Sequence, residues 1–137
     1  MRIIVLLFCL ITIGCVSNKT FLKDNCLELQ PSKFAFINNE ISFKLDEIIS
    51  DSRCPIDVTC VRAGEVVLKI SVYKKGQKVE DVNLTIDHNS IEHNKSFFEK
   101  YTKDADKKIK QLSVSPTRKS DENIKKEDYI LKILFEE

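Results

Sequence analysis

From Lys33 onward, apolar and polar residues alternate with a period of two. Phe34 and Phe36 alternate with Lys33, Ala35 and Ile37, and Asn38-Asn39 then offers a turn. Ile41, Phe43 and Leu45 follow, alternating with Ser42, Lys44 and Asp46. Successive side chains on a strand point to opposite faces, so the pattern predicts a β-hairpin buried on one side. The alternation slips at Glu47-Ile48-Ile49, as it does at a bulge or where a strand leaves its sheet. The strongest strand lies over 65–74: Val66, Leu68, Ile70 and Val72 share one face, with Val67, Lys69, Ser71 and Tyr73 on the other. Lys75-Gly76-Gln77 turns the chain, and Val82, Leu84 and Ile86 alternate with polar residues in an antiparallel partner strand. Residues 87–108 are weakly patterned, with a short strand or helical turn around 91–101. A strand through Ile109, Leu112 and Val114, irregular at Lys110-Gln111, stops at Pro116. Residues 117–126 read as a solvent loop and 127–135 as the last strand. Six to seven short strands and no clear amphipathic helix predict an all-β fold: a single immunoglobulin-like antiparallel sandwich over residues 33–137.

The first 32 residues follow other rules. Arg2 precedes an apolar run from Ile3 to Ile13 broken only by Thr12. That is shorter than the roughly 20 apolar residues a membrane-spanning helix needs, and it suits a signal peptide over 1–14. Ile11-Thr12-Ile13-Gly14-Cys15 resembles the lipobox of bacterial lipoproteins, although Thr12 stands where leucine is usual. The resemblance implies that Cys15 is diacylglyceryl-modified and becomes the mature N-terminus, so that a lipid anchor holds the chain at a membrane. In the Gram-negative sorting pattern, the lack of Asp after Cys15 points to the outer membrane. Ordinary secretory cleavage near Gly14, leaving Cys15 a plain thiol, is the alternative. Residues 15–32 are polar and predict a flexible tether, with Leu27 and Leu29 at the onset of order.

At 137 residues the chain has room for one domain, and 42% hydrophobic with 31% charged residues suits a globular one. Lys and Arg number 22 against 21 Asp and Glu, a balance that gives no electrostatic case for a nucleic-acid partner or for steering to an anionic membrane surface. Only three glycines are present, too few for a glycine-rich phosphate cradle. Export changes the reading of the five cysteines. Cys9 leaves with the signal peptide and Cys15 carries lipid, leaving Cys26, Cys54 and Cys60 in an oxidising compartment. Cys54 and Cys60 flank one short loop and make the natural disulfide. Closing so short a loop contributes about 2–2.5 kcal/mol, so its main effect is on loop shape. Cys26 is left free or pairs outside the chain.

The stretch Asp51-Ser52-Arg53-Cys54-Pro55, with Cys60 and then Ala63-Gly64, resembles a motif of a family of uncharacterised bacterial envelope proteins. The similarity extends to Leu112, Val114, Ser115, Pro116 and Asp128-Tyr129, and spans roughly residues 33–136. Members are usually signal-bearing and often lipobox-bearing, and the family lends no activity. Val61-Arg62 replaces aromatic residues common there, and Cys26 is extra.

Chemistry is scarce. A thioredoxin-type couple needs Cys-x-x-Cys opening a helix, whereas here five residues intervene and a strand follows. Asp51, Arg53, Asp57 and Arg62 form a candidate binding loop. In the competing structural reading, Asp51 accepts backbone N–H bonds while Arg53 pairs with a carboxylate and covers the disulfide. His88 and His93, beside Asp87 and Glu92, are the only residues grouped as metal ligands would be, but their spacing shares neither a helix face nor a strand face. Exposed loop histidines, with no metal and no cofactor, are the expectation. There is no Gly-x-Ser-x-Gly elbow and no assembled triad. The expected function is a membrane-anchored envelope lipoprotein without catalytic activity, a binding or accessory module meeting another envelope protein. The alternatives are a small protease-inhibitor-like sandwich and a surface metal-binding protein.

Overall fold

Two β-sheets share one core in the computed structural model, which describes residues 19–103 and 106–137. The expected signal peptide and the expected lipidation site Cys15 lie outside the described residues. The strands are β1 (Lys19–Phe21), β2 (Cys26–Leu29), β3 (Phe34–Phe36), β4 (Ile41–Asp51), β5 (Val66–Lys74), β6 (Gln77–Ile86), β7 (Ile109–Ser115) and β8 (Ile130–Phe135). One helix, α1 (Ile91–Thr102), lies between β6 and β7. The five-stranded sheet runs β1-β3-β4-β5-β6 and the three-stranded sheet β2-β8-β7. All pairings are antiparallel except β1 with β3. The architecture is the expected all-β sandwich, and β3 to β6 follow one another across their sheet as a meander.

The alternation that predicted the strands also fills the core. Phe43, Leu45, Leu68, Ile70 and Val72 point inward from one sheet and meet Leu27, Leu29, Leu131, Ile133 and Phe135 from the other. Their burial is the main favourable term holding the sheets together. The slip at 47–49 is a pair of register shifts, between Leu45 and Glu47 and between Ile48 and Ser50, which carry β4 on to Asp51. The irregularity expected in β7 falls between Ile109 and Gln111.

Two expectations change. Residues 19–32 are not a tether but supply β1 and β2, giving eight strands rather than six or seven. Leu27 and Leu29 are fully buried opposite Ile133 and Leu131, a role invisible in a run of two apolar residues until β8 is beside it. Asp24 and Asn25, at φ 49° and 57°, turn the chain from one sheet to the other, and their short polar side chains tolerate that left-handed conformation. The weakly patterned segment is α1, whose buried positions are Asn94, Phe98 and Thr102. The Phe98 ring packs edge-on against Phe43 at 5.2 Å, and Asn94 Nδ2 donates to Thr85 O at 2.7 Å.

If β2 belongs to the sandwich, Leu27→Ala removes fully buried side-chain volume and lowers stability by about 2–5 kcal/mol in urea unfolding. A loss below about 0.5 kcal/mol, the usual effect of a surface substitution, would return this segment to a tether.

Candidate functional site

Between β4 and β5 the two chains stay paired almost to the disulfide. Ser52 N–H donates to Glu65 O at 2.8 Å, and Cys54 N–H donates to Ala63 O at 2.7 Å. Beyond these bonds the Cys54–Cys60 disulfide closes the tip. Gly64 permits the approach: it sits at φ +73°, and a Cβ there would lie 1.9 Å from the backbone oxygen of Ser52. Only a residue without a side chain fits.

Beneath the tip is a polar core. Asp51, its side chain 8% exposed, accepts Arg53 Nε at 2.9 Å on Oδ1 and Arg53 Nη2 at 2.7 Å on Oδ2. It also accepts the Arg53 backbone N–H at 3.1 Å and the Tyr129 hydroxyl at 2.9 Å. The guanidinium donates onward, from Nη1 to Val114 O at 2.8 Å and from Nη2 to Pro116 O at 3.1 Å, and lies 6.0 Å from the Tyr129 ring centre. A bidentate Arg–carboxylate pair is among the stronger and more directional polar contacts. Here it spans both sheets: Asp51 ends β4, Val114 belongs to β7, and Tyr129 enters β8.

The segment after β7 is laid against the same loop. Arg118 Nη1 donates to Asp51 O at 3.2 Å and Arg53 O at 3.3 Å, while Arg118 O accepts Ile56 N–H at 3.0 Å. Asp57 Oδ1 accepts the Ser120 N–H at 2.9 Å, and its other oxygen takes the Ser120 hydroxyl. The expected solvent loop is exposed at most of its positions, and through Arg118 and Ser120 it also braces the cysteine loop.

Charge states follow from these contacts. Burial alone would raise the Asp51 pKa, but Arg53's hydrogen bonds, then Tyr129's, then the guanidinium charge together hold it below the ordinary value. The Asp51 bond pushes the Arg53 pKa further up, against the opposing effect of burial. Burial first, and Asp51 second, raise the Tyr129 phenol. At neutral pH the cluster is a carboxylate, a guanidinium and a neutral phenol. The Ser120 bonds lower Asp57.

Of the four candidate loop residues, Asp51, Arg53 and Asp57 are thus struts, and Arg62 is exposed. Arg62 and His88 line one open groove of about 550 Å³ with Ser52, Gly64, Glu65 and Asp87. His93 is exposed in the first turn of α1. Among the described residues no group of three or more His, Cys, Asp or Glu side chains could hold a metal ion. Cys26 is a free, half-buried thiol on β2.

Besides Arg62, three apolar residues of the loop reach solvent. Ile56 and Val58, inside the disulfide-closed turn, and Val61, directly after Cys60, are 65%, 47% and 104% exposed. Apolar residues inside a loop carry no periodicity to flag them. The site is chemically an exposed apolar tip flanked by Arg62, on a hydrogen-bonded base. Comparison of the chain with protein-family models, curated proteins and solved structures found no match.

Three predictions test the frame. Arg53→Ala leaves the Asp51 carboxylate poorly compensated and costs about 2–4 kcal/mol at neutral pH. Because the Asp51 pKa is depressed in the folded state, its contribution is fully present above the ordinary aspartate range and is lost as pH falls through the lower folded value. The stability gap between wild type and Asp51→Asn should therefore narrow in acid; a gap independent of pH contradicts the pair. Gly64→Ala should destabilise far more than Gly76→Ala, since Gly76, at φ +80°, has nothing within 4 Å of an added Cβ. Equal melting temperatures for the two variants would refute the close approach.

Proposed function

We propose that the protein is a lipid-anchored bacterial envelope module that binds an envelope protein partner through the disulfide-closed loop, without catalysing a reaction. The observation that carries the reading is the contrast between the base and tip of that loop. Its base is held by the Asp51–Arg53 pair, Arg118 and the disulfide, while its tip offers Ile56, Val58 and Val61 to solvent. Apolar side chains on a pre-ordered loop lose little conformational freedom on docking, which favours binding. A disulfide agrees with an oxidising compartment, and the lipobox-like stretch ending at Cys15 agrees with anchoring. Among the described residues no helix is long and apolar enough to cross a membrane. The likeness to envelope proteins with the same cysteine motif supports the same assignment.

A second reading has its own observation. Val61 is fully exposed and Arg62 follows it, on a loop braced from behind, as in a protease inhibitor that offers a rigid substrate-like segment.

Site-specific photocrosslinking in the native envelope tests both readings. A crosslinker at Val61 should give one discrete adduct, absent with a crosslinker at Val79 and lost when Ile56 and Val58 are changed to Ser. Adducts common to both positions would remove the binding-loop reading. A protease in the adduct, blocked at stoichiometric ratio by purified protein, would select the inhibitor reading; a non-protease partner would reject it.

A further inference from the structure

The outward face of the five-stranded sheet is divided along its length. Near the β3–β4 turn it carries a row of aromatic rings. Phe21 stacks on Phe36 at 5.2 Å, Phe36 lies 6.5 Å from Phe34, and Phe34 meets Tyr73 edge-on at 5.0 Å. The row crosses from β1 over β4 to β5 and covers Ser42, which is 4% exposed although it points away from the core. Phe21 is itself 59% exposed. Two ammonium groups stand over the rings, Lys19 at 5.7 Å from the Phe36 centre and Lys44 at 5.8 Å from the Phe34 centre. Toward the cysteine loop the same face turns polar, through Ser71, Asp46, Lys69 and Asp81.

We propose that this aromatic row is the membrane-facing surface of the protein, seated on a phospholipid headgroup layer with Phe21 entering it and Lys19 and Lys44 meeting phosphates. The inference rests on the anchoring reading above and extends it by assigning an orientation. Chain length supplies the argument for this occupant. Four residue steps separate Cys15 from Lys19, where β1 begins, and at about 3.3–3.6 Å per step they reach no more than about 14 Å. A lipid on Cys15 therefore holds the β1 edge, and not the far end of the sandwich, against the bilayer. Aromatic rings combined with lysines are the composition that settles at a lipid–water interface. From Lys44 to Asp51, β4 runs on for roughly 20 Å at about 3.3 Å per residue, so the cysteine loop lies that far along the sheet from the seated aromatic row.

The test uses full-length acylated protein in vesicles of phosphatidylethanolamine and phosphatidylglycerol brominated near the top of the acyl chains. The protein has no tryptophan, so Phe21→Trp and Val61→Trp provide single reporters. Both positions are exposed, so the substitutions spare the core. Phe21→Trp should be quenched roughly threefold more than Val61→Trp, as a ring lying about 5–10 Å into the headgroup boundary requires. Tyr73→Trp, at the far end of the row, should also be quenched more than Val61→Trp. Flotation with the vesicles should be lost in Cys15→Ala. Flotation without preferential quenching at residue 21 overturns the seated face and leaves the anchor standing. Failure of the acylated chain to float overturns both. A reporter at residue 21 shielded from brominated lipid and aqueous iodide alike would mean that a second copy or another macromolecule covers the row, and would also overturn the proposal.

Discussion

The ion pair between Asp51 and Arg53 is the contact on which the loop end of the sandwich depends. It joins the last residue of β4 to backbone oxygens at Val114 and Pro116 and, through Asp51, to the Tyr129 hydroxyl. Core packing alone brings two apolar faces together without fixing how their rims meet. Here a mostly buried carboxylate has three donor groups converging on it, and the guanidinium also donates to the carbonyls of Val114, on the opposite sheet, and Pro116, just past its end. Partly buried charges stabilise a fold only when both members are this fully bonded. The disulfide acts one step further out: it limits the shape of the tip, and the pair beneath sets the direction in which the tip points.

Legibility in the sequence followed the physics of each segment. β5 and β6 were plain because β-branched residues alternate over long stretches, as in 66–74. The helix was hidden because two of its three buried positions, Asn94 and Thr102, are polar and find backbone partners at Thr85 and Lys107. β2 was hidden because Leu27 and Leu29 acquire meaning only beside β8. At the site, the Cys54–Cys60 bond followed from proximity, and a structural role for Asp51 and Arg53 was one of two readings; that the carboxylate Arg53 needs is Asp51 itself shows only in three dimensions. Arg118 and Tyr129 could not be read, since they reach partners 65 to 78 residues away in the chain. Gly64 was visible as part of a motif, but its reason, the carbonyl of Ser52 against its α-carbon, is purely three-dimensional.

On the proposed reading the sandwich has two ends with different tasks. One carries the aromatic row and the short approach from Cys15; the other carries a braced loop with apolar side chains in solvent. The meander of long strands between them acts as a spacer, because β4 and β5 run nearly its whole length and are paired except at the two register shifts. Rigidity matters at both ends, since a loose loop would have to be ordered at the moment of binding.

Amide hydrogen exchange by NMR on the disulfide-intact protein measures that rigidity most directly. The N–H groups of Ser52, Cys54 and Ile56 donate to Glu65, Ala63 and Arg118 and should be protected nearly as well as those of β5. Those of Thr59, Val61 and Arg62, at the tip, should exchange fast. Uniformly fast exchange from 52 to 65 would mean a loop hung on its disulfide alone, and would contradict a braced binding element.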